Sequence, residues 1–170
     1  MENKILFTES QKFKQWWLWI ILLSINLLLI YGFYIQIIKG QPFGDRPMSN
    51  NGQIIGAIIS VLVTILFYNF KLQTIIKEDG IYYRFFPIHI AYRKLTWDKI
   101  KLSFIRKYSP ISEYGGWGLR FGIMGKVKAI NVSGNEGLQL VLTNNSKILI
   151  GTNKPEELNE ILAHIGQIKV

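Results

Sequence analysis

The chain has no cysteine and only two histidines, and two of its long stretches carry no charged side chain at all. Without cysteine there is no disulfide, no thiolate nucleophile and no Cys-based metal site, and the redox compartment is left open. His89 and His164 stand alone, in no H-x-x-x-H pattern, and no C-x-x-C, G-x-S-x-G or phosphate-loop spacing occurs. No catalytic residues, no metal and no cofactor are therefore expected. Acidic residues are also scarce, 11 against 20 Lys plus Arg, for a net charge of +9. The cations are dispersed and follow no recognisable RNA or DNA module, so no nucleic-acid partner is expected.

The uncharged stretches are residues 15–38 and 47–70, 24 residues each. A helix rises about 1.5 Å per residue and a bilayer's hydrocarbon core is roughly 30 Å thick, so about 20 apolar residues span it. Trp16, Trp17 and Trp19 open the first stretch and Tyr31 and Tyr34 lie near its end, while Phe67, Tyr68 and Phe70 close the second. Lys12, Lys14, Lys39 and Lys71 bracket both, giving the aromatic-and-cation flanks of membrane spans. Region 1–71 thus reads as an N-terminal tail and a transmembrane hairpin, with spans at 16–38 and 53–70 and a loop at 39–52. The first apolar run is too long for a signal peptide and no small-residue cleavage site follows it, so the hairpin is expected to stay uncleaved.

Lys and Arg number three before the first span, two in the loop and three just after the second. This bias favours an integral membrane protein with both termini in the cytoplasm. Inside the hairpin, Asn26 and Ser24 are expected to meet Ser60, Thr64 or a second copy rather than a substrate, and Gly56 with Ser60 forms a small-xxx-small pair suited to close helix packing.

The region 72–170 is patterned for β structure. Residues 71–170 hold 15 Lys plus Arg against 8 Asp plus Glu, leaving +7 of the chain's +9. Strands are predicted at 72–77, 81–86, 90–95, 101–108, 119–121, 127–132, 138–143 and 147–151, with turns at Glu78-Asp79-Gly80 and Asn144-Asn145-Ser146. A helix at about 154–165 is announced by Asn153 as cap, Pro155, Glu156 and Glu157, and carries the stripe Leu158, Ile161, Leu162, Ile165. The pattern predicts an antiparallel barrel of about seven strands, partly open, with the helix as its plug.

Thr96-Trp97-Asp98-Lys99-Ile100 and the closing run from Gly151 to Leu158 resemble bacterial pleckstrin-homology-like (PH-like) domains fused to two membrane helices. More narrowly, Gly44-Asp45-Arg46-Pro47-Met48-Ser49, Arg84-Phe85-Phe86-Pro87, Glu113-Tyr114-Gly115-Gly116-Trp117-Gly118 and Asn131-Val132-Ser133-Gly134-Asn135 make the chain similar to a family of small bacterial membrane proteins. The resemblance implies an α+β membrane protein of the bacterial cell membrane, with a transmembrane hairpin followed by a PH-like barrel. It implies no catalytic residues.

Three residue sets are candidates for function. Residues 108–125 place Glu113, Tyr114, Trp117 and Arg120 among Gly115, Gly116, Gly118, Gly122 and Gly125, either as a recognition loop with an anion contact or as a bulged connection with Trp117 tucked inward. A basic set of Arg84, Arg93, Lys94, Arg106 and Lys107, extended by Lys99, Lys101, Lys126 and Lys128, could face anionic lipid or simply be a solvated surface. Asn26, Gly56 and Ser60 are the helix-packing set. The expected function is a non-catalytic, membrane-anchored module that binds a protein or peptide partner, or its own copy, at the cytoplasmic membrane face. The alternatives are a bilayer-facing or transport-accessory oligomer in contact with membrane lipids, and a membrane enzyme without a recognisable signature.

Overall fold

A computed structural model describes residues 4–121 and 127–169. Gly122, Gly125 and Lys126, and the side chain of Lys128, lie outside the described residues. The chain is α+β and divides into two compact units, Lys14–Asn69 and Met1–Phe13 with Phe70–Val170.

The first unit is a helical hairpin. Helix α1 (Trp16–Phe33) continues into a π-helical turn, Tyr34–Ile38, and α2 (Asn50–Asn69) returns after residues 39–49. Trp16–Ile38 and Asn50–Asn69 are each long and apolar enough to cross a membrane. Their apolar side chains point outward: Ile20, Leu23, Leu27, Leu28, Ile58 and Leu62 are all more than half exposed. Neither helix carries an acidic residue in its first turn or a basic one in its last.

The second unit begins before the hairpin. Strand β1 (Ile5–Lys12) pairs antiparallel with β2 (Lys71–Lys77), from Ile5 opposite Lys77 to Lys12 opposite Lys71. The N-terminal tail, placed with the hairpin by the sequence reading, is thus a strand of the β unit, and the helical hairpin is inserted between two neighbouring strands. Hydrophobic alternation missed β1 because its inward positions are Phe7, Glu9 and Gln11, two of them polar. β3 (Gly80–Phe86) and β4 (Arg93–Thr96) extend the sheet in chain order.

A second sheet holds β5 (Ile100–Lys107), β6 (Gly118–Phe121), β7 (Val127–Asn131), β8 (Glu136–Leu142) and β9 (Lys147–Gly151), in the order β5-β8-β9-β7-β6. The β8–β9 hairpin lies between β5 and β7, so β9 runs parallel to β7 where an all-antiparallel arrangement was predicted. The predicted barrel of about seven strands is corrected: the described residues form nine strands in two sheets and no closed barrel. Pairing skips from β4 to β5: the 3-10 turn Trp97–Lys99 between them ends one sheet and starts the other.

Helix α4 (Pro155–His164) packs on β1 of one sheet and on β5 and β8 of the other. Its Leu158 and Leu162 are buried, as are Leu72, Ile76, Ile81 and Phe85 of the first sheet and Leu138 and Leu140 of the second, whereas Leu149 clusters with Tyr108 and Ala129 on the second sheet's other face. Asn153, the expected cap, instead shares a hydrogen bond with Ser133. The helix entry is satisfied from β1: the Glu9 carboxylate accepts from the Asn153 N–H at 2.8 Å and the Thr152 hydroxyl at 2.7 Å, and Thr152 Oγ1 accepts from Lys154 N. An anion there suits the positive end of the helix. Gln11 adds a second stitch, its Nε2 donating 2.7 Å to Gly151 O.

Candidate functional site

The segment after β5 is organised by Arg106. A short helix, α3 (Pro110–Tyr114), sets Glu113 seven residues beyond Arg106, and the guanidinium grips the carboxylate with both ends, Nη1 to Oε1 at 3.2 Å and Nη2 to Oε2 at 2.7 Å. Two-point Arg–carboxylate pairing fixes geometry as well as charge. Nη2 also donates to Tyr114 Oη at 3.0 Å, and Nε to Gln139 Oε1 of β8 at 3.0 Å. Glu113 returns to the start of its own helix by accepting from Ser109 N at 2.8 Å.

These contacts set the local electrostatics. The Arg106 hydrogen bond holds the Glu113 carboxyl below its usual range against opposing desolvation, and the Arg106 guanidinium is correspondingly raised. Burial raises the Tyr114 phenol. Burial also pushes Tyr108 up to about 12, opposed by its hydrogen bond from Asn131.

The two tyrosine rings meet edge to face at 5.9 Å. Behind them Asn131, fully buried, donates 2.9 Å to Tyr108 Oη and accepts from Gly118 N at 2.9 Å. Gly115 ends α3 in the left-handed region at φ 70°, and Gly116 at φ 119° leaves room that a Cβ would take within 3.1 Å of Arg120 Nη2.

Trp117 and Arg120 lean on the backbone. The Trp117 indole donates to Gly134 O at 3.1 Å, and Arg120 Nε donates to Trp117 O at 3.1 Å. The structure therefore splits the predicted recognition set. Glu113 and Tyr114 join Arg106 and Tyr108, while Trp117 and Arg120 form a separate corner with the turn after β7. Ile111 of α3 is left 68% exposed. Sequence reasoning missed Tyr108, Asn131 and Gln139, and placed Arg106 with the lipid-facing cations. Pairing across the sheet, which no linear spacing announces, brings them together.

The remaining basic residues divide by partner. Lys94 pairs with Asp79 at 2.5 Å, Asp79 also accepts from Tyr82 Oη, and Lys107 lies 3.9 Å from Glu136. Arg84 donates to Gln73 Oε1 at 2.6 Å and to Ile90 O at 3.3 Å, and its guanidinium stacks 4.5 Å from the Tyr92 ring. Arg93 faces Tyr83 across the β3–β4 pairing. Among the described residues neither Arg84 nor Arg93 has a carboxylate partner.

In the hairpin, Asn26 bridges the helices. Its Nδ2 donates to Thr64 Oγ1 and Leu22 O, each at 2.7 Å, and its Oδ1 accepts from Ser60 Oγ at 3.0 Å. Gly56 does not mark close approach, because a Cβ there would meet only Met48 Cε at 4.0 Å. Gly32 does: its Cβ would fall 2.6 Å from Gln53 Nε2 and 2.8 Å from the Phe43 ring. Gln53 is 2% exposed and donates to Leu29 O at 3.1 Å.

His89 is buried, with Nδ1 accepting from Phe85 N, and its ring lies 6.3 Å from Tyr83. No three His, Asp or Glu side chains among the described residues are grouped to hold a metal ion. Comparison with protein-family models and with curated proteins found no match for this chain.

Proposed function

We propose that the chain is a membrane-anchored, non-catalytic binding module whose PH-like β unit engages a protein or peptide partner, or a second copy, at the cytoplasmic face of a bacterial cell membrane. The observation that carries this reading is the insertion of an apolar hairpin between paired strands. Three residues separate β1 from α1 and one separates α2 from β2. At no more than about 3.6 Å per residue, such connections tether the β unit to the hairpin at two points. Outward-facing apolar side chains on both helices support the spanning role, and two sheets closed by a C-terminal helix support the PH-like comparison.

The contact surface is residues 110–121. Arg106, Tyr108 and Asn131 hold that segment from behind, which lowers the ordering cost of recognition, and exposed Ile111 supplies apolar contact area. A photoreactive residue at Ile111 or Trp117, activated in intact membranes, tests this. One heterologous protein captured from both positions, and lost with Arg106→Ala, is the expected result; capture of lipid alone overturns it.

A second reading, an oligomeric bilayer-facing or transport-accessory hairpin, is favoured by one feature. An open apolar groove of about 340 Å³ runs along the hairpin, lined by Ile30, Phe33, Ile54, Ala57, Ile58 and Leu62, and accepts a lipid chain or a neighbouring hairpin. Self-capture from α2 positions without any heterologous partner would favour it.

A further inference from the structure

The turn between β3 and β4, residues 87–92, has the opposite polarity to an ordinary surface turn. Its polar member, His89, is buried at 6% exposure, whereas Ile88 and Ile90 stand 55% and 81% exposed. Ile90 is the most exposed large hydrophobic side chain among the described residues.

The turn is also braced. His89 N donates to Phe85 O at 2.7 Å, His89 Nδ1 accepts from Phe85 N, and Arg84 holds Ile90 O while its guanidinium covers the Tyr92 ring. The isoleucines are thus held out by a fixed backbone. Exposed apolar side chains on a rigid support call for an apolar environment.

Cations surround them. Arg84 and Arg93 flank the turn in β3 and β4, and Lys71 of neighbouring β2 lies opposite Phe86, the residue before the turn, while Lys77 and Lys94 lie toward the other end of the sheet. The outward face of this sheet interleaves cation and ring: Lys71 sits over Phe86 at 5.6 Å, and Lys77 and Lys94 over Tyr82 at 5.1 and 5.3 Å. The β2–β3 turn, at the other end of these strands, carries Glu78 and Asp79, the latter shared by Lys94 and Tyr82.

A protein pocket could take the isoleucines, but it would have to supply a complementary ring of carboxylates as well. An anionic bilayer surface supplies both needs at once, acyl chains for the tips and phosphates for the cations. We infer that residues 87–92 insert Ile88 and Ile90 into the interface of an anionic membrane, with Arg84 and Arg93 on the lipid phosphates. This deepens the anchored-module reading by naming a second, reversible membrane contact. It leaves the partner surface at 110–121 in place.

The absence of cysteine makes the test direct. Ile90→Cys in the full chain, carrying an environment-sensitive fluorophore, is reconstituted in nanodiscs with and without anionic lipid, and Thr143→Cys serves as a control on the exposed β8–β9 turn. The inference expects blue-shifted emission at position 90 in anionic discs only, quenched by spin-labelled acyl chains, with position 143 unchanged. Arg93→Gln should lower the inserted population about fivefold, the weight of one juxtamembrane cation. Emission at 90 that ignores lipid charge and quencher overturns the inference, as does equal quenching at 143. Co-purification of the chain with the discs reads the hairpin anchor separately. If the chain stays outside the discs, that anchor fails, and the same label mixed with anionic vesicles still decides the turn: a blue shift supports insertion and unchanged emission refutes it.

Discussion

Asn26 of the hairpin and Glu9 of the β unit occupy equivalent positions in two opposed environments. Each is about nine-tenths buried and joins elements far apart in the chain, Asn26 to Ser60 and Thr64, Glu9 to Thr152 and Asn153. Around Asn26 the apolar side chains point outward and polar groups face inward. Around Glu9 the order is reversed: Leu72, Leu140 and Leu162 are inside while cations cover the surface. One chain therefore sorts its residues by two rules, as expected when apolar association drives one unit and packing with hydrogen bonds holds the other.

Phe7→Ala should give the largest effect. The ring is 2% exposed on β1, and emptying such a site costs about 3–5 kcal/mol. Thermal unfolding of the detergent-solubilised protein should show the loss in the β unit; an unchanged transition would return residues 5–12 to the status of a tail. Glu9→Gln should cost about 1–3 kcal/mol, because the Thr152 hydroxyl and the Asn153 N–H donate to separate carboxylate oxygens and the amide replaces one of those acceptors with an NH2 donor. Denaturant titration of the same transition measures it.

Asn26→Leu should cost less than Glu9→Gln, about 0.5–1.5 kcal/mol, since an unpaired helix in lipid finds other partners for its polar groups. Steric-trapping unfolding of the hairpin in bilayers reads that difference directly. If Asn26 proves the costlier of the two, the contrast between the units fails.

The smallest effect belongs to the Arg106–Glu113 fork. Arg106 lowers the Glu113 pKa, so the pair stabilises the fold above the usual glutamate range and loses that contribution as pH falls through the lowered value. With the Glu113 side chain 38% exposed, solvent screening limits the effect to under about 1 kcal/mol. Melting temperatures of wild type and Glu113→Gln should converge in acid and separate towards neutral pH.

Much of the fold was legible because period and punctuation are local. Each predicted strand is present within a few residues, Gly80 and the asparagine turn mark the β2–β3 and β8–β9 hairpins, and α4 buries the leucines of its predicted stripe. The candidate site was less legible. Glu113 was found by its neighbours in sequence, but its partner Arg106 was assigned elsewhere, since cross-strand and strand-to-helix neighbours leave no fixed spacing. Asn26 and Ser60 stand out in sequence by the scarcity of polar groups among apolar residues and share a hydrogen bond, whereas the close approach falls at Gly32 rather than at the expected Gly56, because it depends on which face each helix turns inward.

Composition and short-range periodicity account for two apolar helices, a basic β region and its C-terminal helix. Long-range packing sets the rest: residues 5–12 complete the first sheet, β9 runs parallel to β7, and Glu9 rather than Asn153 serves the entry of α4. Those features depend on pairings between residues as far as 144 positions apart, where hydrogen bonding and burial rather than local preference choose the partner.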